Sequence, residues 1–91
     1  MQVTHDLKIL PEYFAAVMDG TKRAEFRKFD RNFKVGDFLW LHEYKDGEMT
    51  GSSRCVLITH VLPVHHLCAE PYAMLSFARF SESLNAWEHT L

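Results

Sequence analysis

The sequence is poor in the residues that mark many catalytic and membrane architectures. Its 91 residues hold four glycines, at 20, 36, 47 and 51. Glycines so scattered cannot build a phosphate-cradling loop, which argues against a nucleotide-triphosphate enzyme. No Gly-x-Ser-x-Gly elbow and no Ser/His/Asp signature occurs. Two cysteines, Cys55 and Cys68, do not make a disulfide framework, and reduced thiols are the default for a cytosolic chain. No run approaches ~18 apolar residues, so no membrane helix is expected. Met1 to Asp6 is polar and lacks the apolar stretch of a signal peptide, so the expected location is cytoplasmic. The length has room for one domain and one small core.

Cys55, His60, His65, His66 and Cys68 include residue types that zinc takes. Their spacing offers no Cys-x-x-Cys or His-x-x-x-His pair, so no metal site and no cofactor is expected.

The net charge of −2 hides an asymmetry. Lys22, Arg23, Arg27, Lys28, Arg31 and Lys34 fall in one segment with only Glu25 and Asp30, a local balance of +4. The rest of the chain carries −6. One basic segment on an acidic protein can steer an anionic ligand to one place.

The chain opens with an alternating stretch, His5 to Ile9, read as a short strand. Pro11 suits the first position of a helix, Glu12 suits its positive end, and Phe14, Val17 and Met18 share a face. Gly20 is placed to end it. Lys22 to Lys28 alternates again as a strand, with Ala24 and Phe26 on one side and Arg23, Glu25 and Arg27 on the other. A loop from Phe29 to Asp37 follows. Phe38 to Tyr44 reads as an aromatic-rich strand. Lys45 to Ser52, with Asp46-Gly47 and Gly51, reads as a hairpin connection. Arg54 to Leu62 is a β-branched strand that Pro63 is expected to end. Tyr72 to Phe80 is another strand. From Ser81 to Leu91 a short helix would put Leu84, Trp87 and Leu91 on one face. The pattern predicts a mixed α+β but mainly β domain over 1–80: a small β-barrel with one N-terminal helix. The tail over 81–91 is expected to pack on it as a possible second helix.

Within the basic segment, Glu25 and Arg27 are two apart on a strand, so they share a face. Arg27 offers a planar fork of donors for phosphate or a base edge. Glu25 can orient that fork or accept from an exocyclic amine, and Lys22 can reach a phosphate as a point charge. The alternative is a surface ion pair worth about 1 kcal/mol at most. Arg31, beside Asp30, adds charge at the loop. Trp40 is expected in the core, Tyr13 and Phe14 are expected to fasten the helix, and Trp87 is expected to pack across the barrel surface or on a partner.

A composite pattern runs through these segments. His5-x-Leu7-Lys8-Ile9-x-Pro11-x-Tyr13-Phe14 is followed by Gly20-x-Lys22-x-x-Glu25-x-Arg27. Then come Asp30-Arg31-x-Phe33-x-Val35-Gly36-Asp37-x-Leu39-x-Leu41-x-Glu43 and Thr50-Gly51-x-x-Arg54. Over about residues 4 to 80 this resembles the DUF3850 family, a branch of the ASCH-domain group with a PUA-like fold. The resemblance implies a compact barrel that binds RNA or a nucleotide-like ligand in a cleft at the Gly-x-Lys-x-x-Glu-x-Arg region. It adds His5 and Lys8 as candidate neighbours of that cleft. Some ASCH proteins are amidohydrolases acting on N4-acetylcytidine. They resemble this chain at Lys22 and Arg27, have threonine where this chain has Glu25, and use a late glutamate for which Glu70 is the acid in the right window.

Three readings follow. The first is an RNA- or nucleotide-binding module using Lys22, Glu25, Arg27, Arg31, His5 and Lys8. The second is an amidohydrolase for an N-acylated nucleoside, with Lys22 and Glu25 as catalytic residues. The third is a non-catalytic accessory that meets a protein partner through its tail. None of the three needs a membrane.

Overall fold

The computed structural model describes residues 2–64 and 69–88. Six strands and one helix appear in the order β1 (Thr4–Ile9), α1 (Pro11–Asp19), β2 (Ala24–Lys28), β3 (Phe38–Lys45), β4 (Glu48–Val64), β5 (Tyr72–Ser81) and β6 (Ala86–Trp87). The main sheet runs β1-β3-β4-β5-β2, with β6 added to β5. Among the described residues only β1 and β3 pair in parallel; the other neighbours are antiparallel. The sheet curls into a half-barrel, in keeping with the mainly β, one-helix expectation. The register shifts between His42 and Tyr44 where β3 pairs with β4, and between Ile58 and His60 where β4 pairs with β5; bulges sharpen twist and curvature.

Alternation decides what fills the barrel. Leu7 and Ile9 of β1, Leu39 and Leu41 of β3, Val56 and Ile58 of β4, and Ala73, Leu75 and Phe77 of β5 face inward. Helix α1 lays Phe14 and Val17 into this core. Pro11 begins the helix, and Gly20 ends it in a left-handed conformation (φ 88°) with its N–H bonded to the Val17 carbonyl. Only glycine enters that region without penalty. Phe33, from the loop after β2, closes one end of the core.

Four local expectations are corrected. Trp40 lies outside the core, 44% exposed. Leu39 and Leu41 take the inward positions of β3, and a strand alternates. Pro63 does not end β4, which continues to Val64. Beyond Ile58 that strand pairs with β5 alone, so a residue without an N–H can sit there. The segment after Phe80 is not helical where it is described. Residues 82–85 form a turn, with Asn85 at φ 49°, and Ala86–Trp87 return as β6. The predicted helix face fails because Trp87 is drawn instead onto Phe38 and Phe80, at ring-centroid distances of 5.7 and 5.3 Å. Leu91 lies outside the described residues. The hairpin connection is also tighter than expected. Asp46 and Gly47, both at positive φ, suffice to turn the chain, and β4 begins at Glu48.

Candidate functional site

Curling the sheet brings its two edge strands, β1 and β2, to opposite sides of a seam. No backbone ladder joins them; side chains cross the gap. The Arg27 guanidinium donates through Nη2 to the Lys8 carbonyl. Arg31 donates through Nη1 to the Asp6 carbonyl at 3.3 Å. A cavity of about 400 Å³ lies along this seam. Leu7 to Leu10 and Tyr13 line it on one side; Glu25 to Lys28 and Tyr72 line it on the other, with Asp30, Arg31 and Phe33 closing it.

Glu25 is the electrostatic centre. Its neighbours in sequence place it on the inward side of β2, where it is only 8% exposed. A buried carboxylate needs partners for its oxygens. Lys22 Nζ lies 3.0 Å from Oε1 and Arg27 Nε lies 2.8 Å from Oε2. The Lys22 ammonium also donates to the Ala24 carbonyl and sits 5.8 Å from the Tyr13 ring centre. Lys22 is therefore beside the cavity and outside its lining.

The structure thus brings Lys22, Glu25 and Arg27 together, and places Lys8 and Arg31 on the same seam. The Lys8 ammonium lies 4.7 Å from the Tyr44 ring centre. His5 is placed elsewhere. Its imidazole is buried, tilted against Phe33, and bonded through Nε2 to Asp37 Oδ2 at 2.9 Å. Asp37 also accepts from the N–H groups of Val3 and Lys34. Burial alone would raise its pKa. The bond with His5 and the two backbone N–H groups outweigh that and hold its carboxyl below the ordinary aspartate range. His5 and Asp37 knot the start of β1 to the loop that precedes β3.

Several cavity residues had no distinguishing mark in the sequence. Phe26 points outward, 45% exposed, and stacks on Tyr72 with centroids 4.9 Å apart and planes at 11°. Alternation on β2 implied that Phe26 opposes Glu25; nothing local identified Tyr72, which pairs with Lys28 and so lies diagonally across from Phe26, as its stacking partner. Lys28 pairs with Glu70 at 3.0 Å on the surface, a bond that raises the lysine pKa. Glu70 is thereby placed near the cavity rim but away from Glu25's cations.

Among the described residues no group of three His, Cys, Asp or Glu side chains is arranged to hold a metal ion. The Cys55 thiol is free; His65, His66 and Cys68 lie outside the described residues. No helix among those residues is long and apolar enough to cross a membrane. The tail is fastened inward: Arg79 binds Glu88 at 2.7 Å and the Met18 carbonyl at 2.6 Å.

Comparison with known proteins places this site in context. The chain is 48% identical over 61 residues to the "Uncharacterized 12.9 kDa protein in GpA 3'region" of Escherichia phage P2. The match covers 67% of this chain and 56% of the phage protein, so this chain spans little more than half of that relative. A family profile, "Domain of unknown function (DUF3850)", matches residues 4–77, which include β1 to most of β5 and the whole Lys22–Glu25–Arg27 cluster. The chain belongs to the DUF3850 family.

Proposed function

We propose that the seam cavity binds RNA or a nucleotide-like ligand. One observation carries this reading: the guanidinium groups of Arg27 and Arg31 bridge the seam from one side to the other, and Lys8, Lys28 and the aromatic residues Tyr13, Phe26, Phe33 and Tyr72 line the same cavity. Its volume is within the roughly 300–1,000 Å³ of small-ligand sites. The Phe26–Tyr72 stack supplies an exposed aromatic platform of the kind on which bases stack. Glu25 supplies a fixed acceptor, oriented by Lys22 and Arg27, that suits an exocyclic amine. This agrees with what resemblance to the ASCH group and its PUA-like fold implies.

Hydrolysis of an N-acylated nucleoside is the second reading, favoured by the buried carboxylate of Glu25 beside Lys22. It ranks lower because the Lys22 ammonium is committed to Glu25 and the Ala24 carbonyl.

The test is a residue-resolved NMR titration at low salt with a short single-stranded RNA, then cytidine, then N4-acetylcytidine. Shifts centred on Lys8, Glu25, Phe26, Arg27 and Arg31 that weaken with added salt are expected. Salt-independent binding, or shifts away from the seam, would overturn the reading. Release of acetate from N4-acetylcytidine, lost in Glu25→Gln, would transfer the site to the hydrolytic reading.

A further inference from the structure

The two seam arginines are held in the same way. Arg27 gives Nε to the Glu25 carboxylate and Nη2 to the Lys8 carbonyl. Arg31 gives Nε to the Asp30 carboxylate and Nη1 to the Asp6 carbonyl. A guanidinium carries five N–H donors. Two such bonds leave three N–H groups on each arginine for a ligand. Both side chains remain accessible, at 28% and 42%.

Their anchor points are spaced by the strand. Asp6 and Lys8 are two residues apart on β1, so their carbonyls point to the same edge, about 6.7 Å from one another. That repeat is close to the distance between successive phosphates of an extended single strand. A guanidinium held at two points loses little freedom when it takes a phosphate oxygen, and its planar fork suits that geometry. The carboxylates of Glu25 and Asp30 orient the forks. Lys8 on β1 and Lys28 on β2 add a cationic residue to each side of the seam.

We propose that Arg27 and Arg31 read two consecutive phosphodiesters of a single-stranded nucleic acid laid along the seam. The preferred ligand is then a strand of at least three nucleotides, and a free nucleoside or a dinucleotide is a partial ligand. This rests on the nucleic-acid reading above and deepens it.

The test measures affinity against salt for mixed-sequence RNA of one, two, three and four nucleotides without terminal phosphates. The salt slope is expected near zero for the nucleoside, about −0.7 for the dinucleotide and about −1.4 for the trinucleotide. Arg31→Gln should bring the trinucleotide slope back to the dinucleotide value. Lys45→Gln, at the far hairpin, should leave the trinucleotide slope as it is. Equal affinity and slope for dinucleotide and trinucleotide would overturn the two-phosphate reading and leave nucleotide binding intact. A dinucleotide-to-trinucleotide step that survives Arg31→Gln would also overturn it. Absence of binding by all four RNAs, with Arg31→Gln folded as wild type, would overturn this inference together with the reading beneath it.

Discussion

Replacing Glu25 by glutamine removes one charge and almost no volume. In a surface ion pair the change would cost less than about 1 kcal/mol. Here the residue is 8% exposed and each carboxylate oxygen holds its own cation. Charge-assisted hydrogen bonds contribute about 1.5–3 kcal/mol each when well buried. Lys22 and Arg27 keep 22% and 28% of their side chains accessible, so water replaces part of what is lost. The glutamine carbonyl also keeps one acceptor. The expected net loss is about 2 kcal/mol. For a domain of this size that lowers the melting temperature by about 8–16 °C. It also lowers the urea midpoint by about 1–2 M at unchanged slope. Unfolding is followed by the fluorescence of Trp40 and Trp87. A double-mutant cycle with Arg27→Gln isolates the pair, with an expected coupling of about 1 kcal/mol or more. A Glu25→Gln loss under about 0.5 kcal/mol, or a coupling indistinguishable from zero, would refute the claim that this carboxylate organises the seam.

Three further outcomes are expected. Asp37 has its folded pKa depressed, so its contribution is complete above the ordinary aspartate value near pH 4 and is lost as pH falls through the folded value. Asp37→Asn should therefore be less stable than wild type at pH 6 and lose less between pH 6 and pH 3. Parallel urea-midpoint curves for the two proteins would count against this assignment. Gly20→Ala forces a Cβ into a left-handed site, 2.9 Å from the Arg79 guanidinium that holds Met18 and Glu88. It should destabilise by about 1–2 kcal/mol in thermal melts, and a neutral result would mean that Gly20 is not a required cap. Phe26→Ala removes a half-exposed ring and should leave stability within about 0.5 kcal/mol. It should weaken RNA binding by about 1–3 kcal/mol; unchanged affinity by fluorescence anisotropy would exclude base stacking on the Phe26–Tyr72 face.

Local signals in the sequence were strong where backbone chemistry is local. Pro11 and Gly20 bound α1, and Asp46-Gly47 marks the hairpin, because each residue meets a fixed backbone requirement within a few positions. The outward position of Trp40 is not legible locally, for the opposite reason. Its alternation with Leu39 and Leu41 was plain, but which side of β3 faces the core depends on strands remote in sequence. The tail failed similarly: a helical spacing of Leu84 and Trp87 competes with Phe38 and Phe80, which only the folded sheet brings near. In the site, Glu25 and Arg27 were legible from the two-residue strand period. The seam was not, because β1 and β2 meet through the curl of three intervening strands. His5 and Asp37 are 32 residues apart, and no local pattern links them.

The strand order has a consequence for synthesis of the chain. Most cavity-lining residues lie within positions 7–33, so they leave the ribosome early. Among the described residues, β2 has a sheet partner only in β5, which begins at Tyr72. The wall that carries Glu25, Arg27 and Lys28 therefore waits for the last long strand before it has a register. A nascent chain stopped before residue 72 holds nearly every cavity-lining residue and no seam. The binding proposed for the seam should appear abruptly, late in translation, once Tyr72–Ser81 has emerged.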